Sequence, residues 1–234
     1  MASARQGGSS GLNEEMDQPR QRRRRSLRTQ AERSDTTRSS LLEAAIKCLH
    51  EQGYTATTTQ LVAKEAGVSR GRMLHQFPTK VDLMLFVVRA VFDSERPEYK
   101  ARMAAIKEPR EQFLSLAEIV WEVLSRPSGV AVLEIFLGAR SDPELAAQLR
   151  PLQSKIETES FEFAAYYRPL FNRPISPPLL RLIVWSVRGL SIAQMMGSDE
   201  ADLRESVKLL RVLIETVLDG EPPARTLNAH DQAG

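Results

Sequence analysis

Four side chains that can hydrogen-bond to anions and base edges, Arg70, Arg72, His75 and Gln76, fall within seven consecutive residues. Two guanidiniums, an imidazole and a carboxamide on about two helical turns can donate to phosphate oxygens and to guanine O6 and N7. They stand where an amphipathic helix would otherwise place a second apolar face. Such donors read a duplex only if a short helix enters the major groove with that face outward. The neighbouring residues must therefore build a platform for it.

The stretch 57–80, TTTQLVAKEAGVSRGRMLHQFPTK, has the parts of a helix-turn-helix. Thr57-x-x-Gln60 is a capping-box pattern that predicts a helix starting after Thr57. Val62, Ala63 and Ala66 form its inward face, with small residues that permit close crossing. Gly67 supplies the turn and Val68 plugs the junction. Ser69 predicts the cap of the next helix, Pro78 its end, and Thr79-x-x-Asp82 the start of a fourth helix running to about residue 94. Upstream, Leu42, Ala45, Ile46 and Leu49 have the i, i+3, i+4, i+7 spacing of one helix face, and Gly53 predicts its stop.

Beyond Pro97 the periodicity stays helical, predicting helices near 98–107, 110–125, 128–140, 143–170, 177–197 and 199–219. Asp142 followed by Pro143 reads as cap and first helical residue, and Pro151 as a kink or restart. No strand-like alternation or hairpin signal is present. The expected fold class is all-α: an N-terminal three-helix helix-turn-helix domain followed by a C-terminal helical domain for ligand binding and dimerisation. The expected limits are a disordered basic arm over 1–36, a DNA-binding domain over 37–82, an effector-binding and dimerisation domain over 83–220, and a disordered tail over 221–234.

The formal net charge of +2 conceals an asymmetry. Residues 20–80 hold 13 basic and 5 acidic residues, whereas residues 81–234 hold 18 and 22. A basic N-terminal part next to an acidic remainder points to a polyanionic partner, or more plainly to a solvated basic surface. Arg23, Arg24 and Arg25 lie in an acid-free run of six arginines over 20–28. Such an arm can enter a minor groove or follow phosphates, or it is a solubilising tail. Arg181 and Arg188 interrupt the most apolar stretch, so no membrane span and no membrane partner are expected. The basic N-terminus is followed by no apolar segment, which argues against a secretory signal. Cys48, the single cysteine, fits a reducing cytoplasm. No catalytic triad, paired-carboxylate motif, phosphate-binding glycine loop or metal cluster is present. The expectation is no enzyme, no cofactor and no metal.

The C-terminal half leaves alternatives open. Glu134 is the only charge in the apolar run 129–138 and needs a partner. It either faces a pocket, selecting cationic or hydrogen-bonding effectors, or pairs with Arg140 or Arg188. Phe113, Trp121, Phe136, Tyr166, Trp185 and Met195 either line an apolar pocket or are simply core. Leu179, Leu182, Ile183, Val187 and Leu190, with Leu209, Leu210, Leu213, Ile214 and Val217, form two broad apolar faces. One small domain cannot bury both, so Leu182, Leu190, Leu210, Leu213, Ile214 and Val217 are expected at a homodimer interface.

The run 37–85 resembles the TetR/AcrR N-terminal domain. The resemblance is carried by Gly53-Tyr54, Thr57-Thr58, Val62-Ala63, Ala66-Gly67-Val68-Ser69, Gly71, His75, Phe77-Pro78 and Lys80. It implies a repressor of double-stranded DNA, dimeric through a four-helix bundle and released by a small lipophilic effector. A same-fold activator, or a regulator that answers to a protein, is the alternative. It further implies that Thr57 and Thr58 contact phosphate and that Ser69 caps the recognition helix. Arg70, Arg72 and Gln76 would face bases or backbone, His75 and Lys80 would clamp phosphates, and Phe77 would fill the gap to the fourth helix. The chain departs from the pattern at Arg72, where Thr is frequent, and at Leu74, where a phosphate-binding Tyr is frequent. An operator of its own is the expected result.

Overall fold

A computed structural model describes residues 18–220, with side-chain surroundings from residue 34 onward. Ten α-helices follow one another: α1 (Gln18–Ala56), α2 (Thr59–Glu65), α3 (Arg70–Gln76), α4 (Lys80–Ala105), α5 (Pro109–Leu114), α6 (Leu116–Leu124), α7 (Pro127–Gly138), α8 (Pro143–Ala165), α9 (Pro177–Met195) and α10 (Glu200–Asp219). A 3-10 turn, Arg168–Leu170, links α8 to α9. No strand occurs among the described residues, and the fold class is all-α as expected.

Several boundaries differ from the sequence reading. Helix α1 begins at Gln18, so residues 18–36, including Arg23, Arg24 and Arg25, are helical instead of disordered. Arg, Gln, Leu and Ala are good helix formers, and a helix already nucleated downstream extends at little cost through them. The expectations for residues 1–17 and for the tail 221–234 lie outside the described residues. The inward face of α1 is rotated slightly from the predicted one: Leu41, Ala44, Ala45, Cys48 and Leu49 are buried, while Leu42 and Ile46 sit at its edge. Helix α4 passes Pro97 without stopping, so the predicted break there is wrong. Proline removes one bond to the carbonyl of residue 93, and both Asp93 and Pro97 are exposed, so water can satisfy that carbonyl. Helix α8 likewise runs through Pro151. The expected 110–125 helix is divided at Ser115.

The apolar residues form two clusters. The first joins α1, α2 and α3 to the first half of α4, and also to Ala131, Val132 and Ile135 of α7 and Leu145 and Leu149 of α8. The second gathers the end of α4 with α5, α6, α9 and α10. The N-terminal helical head, α1 to α3, therefore has no core separate from the C-terminal helices. Its seam is organised by Tyr54, which follows Gly53, a residue at φ 76° that interrupts α1. The Tyr54 ring packs on Gly138, where an added Cβ would lie 2.2 Å from the ring. Its backbone N–H donates to Glu134 (3.1 Å) and its hydroxyl donates to Asp142 (2.6 Å). Asp142 also caps α8 by accepting from the Leu145 N–H, and these two bonds, the backbone one foremost, hold its carboxyl below the usual range. The pairing of Glu134 with Arg140 or Arg188 is thereby replaced: its partner is the backbone of the head.

Gly138→Ala is expected to force the Tyr54 ring off its seat and destabilise the fold by ~1–3 kcal/mol, the usual cost of overpacking. Gly71→Ala, on a helix where the added Cβ meets nothing, should be neutral or stabilising. Urea unfolding of the two variants checks the contrast; equal midpoints would remove Tyr54 from its organising place.

Candidate nucleic-acid interface and internal cavity

The turn between α2 and α3 shows why the sequence folds as it does. Gly67 adopts φ 64°, a left-handed conformation that suits glycine. Its N–H donates to the Lys64 carbonyl (3.2 Å) and the Val68 N–H donates to the Ala63 carbonyl (2.9 Å). Those two bonds are the Schellman closure of a helix end. Val62 and Ala63 are buried beneath it, and Met73 of α3 is buried against them. Ser69 then caps α3 by accepting from the Arg72 N–H at 3.3 Å. With Met73 inward, the exposed face of α3 carries Arg70, Gly71, Arg72, Leu74 and His75. Phe77 is buried and stacks on Phe86 of α4 at 4.7 Å between ring centroids, so it fills the α3–α4 gap.

The remaining expected DNA contacts separate into two groups. Thr58 is exposed and is the true cap of α2, accepting from the Leu61 N–H at 3.1 Å. Thr57 is fully buried, and its hydroxyl donates to the Gly53 carbonyl at 2.8 Å. The cap therefore lies one residue later than the Thr57-x-x-Gln60 pattern suggested, and Thr57 is not presented to a phosphate. Lys80 also turns inward. Its ammonium donates to the Tyr54 carbonyl (2.6 Å) and lies 3.9 Å from the Tyr54 ring centroid, and burial pushes its pKa down. It joins the head to its own seam and is not gathered with the α3 donors. The Gln76 amide is half-buried and donates to Ser34 of α1 at 3.1 Å. Arg23, Arg24 and Arg25 lie on α1, with their side chains outside the described surroundings.

Behind the head, a cavity of about 460 Å³ opens between α4, α5, α6, α7, α8 and α9. Its walls are largely apolar and aromatic, and Phe113, Phe136 and Arg188 are placed there as expected. The other expected lining residues are elsewhere. Trp121 is buried in the second core cluster, away from the cavity. Tyr166 is 71% exposed, and Trp185 and Met195 are exposed on α9. Glu134 holds the Tyr54 N–H, and Arg140 is exposed. Trp121 is thus core, Tyr166, Trp185, Met195 and Arg140 face outward, and Glu134 finds its partner in the head seam. Conversely, the reading missed Val88, Val91, Phe92, Glu95, Tyr99 and Met103, all on α4. Their spacing is that of one helix face, from which the expected break at Pro97 cuts off Tyr99 and Met103.

Glu95 is the unusual acid of this wall. Its side chain is buried and accepts from the Ser128 hydroxyl at 3.0 Å. Burial pushes its carboxyl up to about 7 against the opposing effects of that bond, Arg126 and Arg188. Arg126 is itself engaged with Glu98 through two bonds of 2.7 Å. Among the described residues no group of three or more His, Cys, Asp or Glu could hold a metal ion. No helix of the described chain is long and apolar enough to cross a membrane.

The α9 and α10 surface is largely uncovered. Leu182 (65% exposed), Trp185, Gly189, Ile192 and Met196 follow a 3-4-3-4 spacing along one exposed side of α9. Leu209, Leu213 and Val217, four residues apart, line one exposed side of α10. Leu190 and Leu210 are half-buried within their own chain. Ile214 is 2% exposed and packs in the second core, which removes it from the expected interface.

Comparison with known proteins agrees with this architecture. Residues 41–87 match the family described as bacterial regulatory proteins, tetR family. The chain is 28% identical over 175 residues to the HTH-type transcriptional regulator CymR of Pseudomonas putida, covering 74% of this chain and 86% of that one. The fold is shared with the fatty acid degradation regulator FadR from Bacillus halodurans at 18% identity and a TM-score of 0.62, covering 76% and 94% of the two chains. It is also shared with the multidrug binding protein EbrR complexed with imidazole, at 23% identity and a TM-score of 0.54, covering 75% and 88%.

The Glu95 carboxyl yields a test of the cavity's electrostatics. Its folded pKa lies above the ordinary value of ~4.3, so protonation favours the folded state. That contribution is complete below about pH 4 and is lost as the pH rises through about 7. Glu95→Gln should therefore match the parent near pH 4 and exceed it at pH 8 by up to ~3 kcal/mol. Urea unfolding across that range measures it; a constant difference at all pH values would contradict the shift.

Proposed function

Since this chain is a TetR-family transcriptional regulator, a DNA-binding protein and not an enzyme, we propose that it works in the cytoplasm as a homodimeric repressor of a near-palindromic operator and that a small lipophilic effector releases it. The observation that carries the reading is the position of the cavity. Two of its walls, α4 and α7, have their other faces in the core of the head. A molecule that changes how these helices pack must change how the head is carried.

The DNA-binding part of the reading rests on the exposed face of α3. Arg70 and Arg72 supply donors for guanine and phosphate, His75 supplies a phosphate contact, and Leu74, 41% exposed, supplies an apolar contact suited to a thymine methyl group. Thr58 and Ser69, at helix N-termini, add backbone N–H groups for phosphates. Gln76 and the arm arginines Arg23, Arg24 and Arg25 are further candidates on the α1 side. The dimer part rests on the uncovered stripes of α9 and α10, with Leu182 the most N-terminal residue of the first and Leu213 at the centre of the second. Gly189 leaves room for a close helix approach, since nothing lies within 4 Å of an added Cβ. A two-fold pairing through this face would set two α3 helices about one DNA turn apart, ~34–36 Å.

Operator affinity with and without a panel of lipophiles tests the release step: an unchanged affinity when the cavity is occupied would overturn it. Arg72→Ala, at an exposed position, should leave unfolding unchanged and weaken operator binding about 10–100-fold, with relaxed preference at one base pair per half-site. Leu213→Glu should halve the mass seen in light scattering and lower operator affinity more than tenfold. A parent protein that is already monomeric at micromolar concentration would refute the dimer.

A further inference from the structure

Of the three cations lining the cavity, Arg96 is paired with Glu159 and Lys100 is exposed to solvent, whereas Arg188 is buried with an unpartnered nitrogen. Arg188 enters it from α9, and its Nη1 is shut off from solvent without a hydrogen-bond partner. The guanidinium lies 5.1 Å from the centroid of Phe136 and 5.7 Å from that of Trp185. Those ring faces favour a positive charge but leave its N–H groups unanswered. Among the described residues no carboxylate lies within ion-pairing distance of it. Glu95 is near enough to act on Arg188 through space. It uses Oε1 for the Ser128 hydroxyl, and its burial favours the protonated form. At the rim, Arg96 is already paired with Glu159 at 2.9 Å. A buried guanidinium left in this condition is costly unless something completes it.

We propose that the cavity takes a lipophilic monocarboxylate, whose head group receives N–H bonds from Arg188 and whose apolar body lies among Val91, Phe113, Val120 and Ile183. The inference rests on the effector reading above and names its chemical class. Arginine's planar fork matches a carboxylate bidentately. A single negative charge balances a single positive one, whereas a phosphate dianion would leave an uncompensated charge in an apolar chamber. A cationic amphiphile would meet Arg188 head on. The site also reaches the head by a short path. Phe136, under the guanidinium, is two residues along α7 from Glu134, which holds the Tyr54 N–H.

The test titrates the full-length protein with decanoate, 1-decanol and decyltrimethylammonium below their micellar concentrations. The fluorescence of Trp185, beside the guanidinium, reports occupancy, and operator binding is measured in parallel. Decanoate is expected to bind at least tenfold more tightly than 1-decanol. Arg188→Met should abolish that preference while leaving 1-decanol affinity unchanged, and Arg188→Lys should keep part of it. Removing an unpaired buried charge favours folding, and the lysine variant provides a second, charged comparison. Equal affinities for acid and alcohol in the parent, or a preference that survives in Arg188→Met, would overturn the proposal. If 1-decanol then still weakens operator binding, the effector reading stands without it. Binding of none of the three would overturn both. Arg188-dependent decanoate binding that leaves the operator complex intact would support the ligand class and remove the release step.

Discussion

The seating of one aromatic ring on one glycine holds the two parts of this protein together. Tyr54 packs on Gly138 at a distance no β-carbon would allow. Its backbone N–H is held by Glu134, its hydroxyl by Asp142, and its carbonyl by Lys80, whose ammonium also covers the ring. Gly53, at positive φ, turns the chain so that Tyr54 can reach α7 at all. Three polar groups and a close packing contact thus converge on a residue that is 8% exposed. The burial and the bond to Asp142 together push the phenol well above its ordinary pKa, so it remains a donor. With that seam in place, α1 and α7 share one core.

From this constraint the placement of the cavity acquires meaning. Helix α7 presents Val132 and Phe136 to the cavity and Glu134 and Gly138 to the head. Helix α4 begins at the recognition helix and passes along the cavity through Glu95, Tyr99 and Met103. The cavity and the exposed face of α3 are therefore joined by two helices that have no flexible linker between their ends. A bistable packing of either helix suffices to couple the two sites, and the coupling acts equally in both directions.

Much of the head was legible in sequence because its determinants are local. The Gly67 turn, the Ser69 cap and the Thr79–Asp82 capping box each depend on residues within five positions, and the inward Val62 and Ala63 follow the helix period. The less local features were misread. Thr57 and Thr58 are chemically alike, and only the Gly53 carbonyl, reached through the kink, decides which of them is buried. Lys80 has no sequence signal that turns it toward Tyr54. The cavity face of α4 carries a readable period, yet Pro97 appeared to divide it, since the exposure that makes that proline harmless is a tertiary property. Ile214 belongs to an apolar run like its neighbours, and its burial depends on how α10 rolls against α6. Glu134 and Arg188 illustrate the same limit: two opposite charges in apolar segments read as partners, but Glu134 faces the head while Arg188 packs over Phe136 on the cavity side of α7.

The unbroken length of α4 has a mechanical consequence. Twenty-six residues at 1.5 Å each make a rod of ~39 Å, comparable to a turn of DNA. Its N-terminal end emerges from the recognition helix through only Phe77, Pro78 and Thr79. A tilt of ~5° imposed at the cavity end would sweep the other end through ~3 Å over that length. In a pair of subunits the two sweeps would add or cancel according to the symmetry axis. In the dimer proposed above, a small adjustment beside Tyr99 would therefore be geared up to a displacement that the spacing of successive grooves can detect.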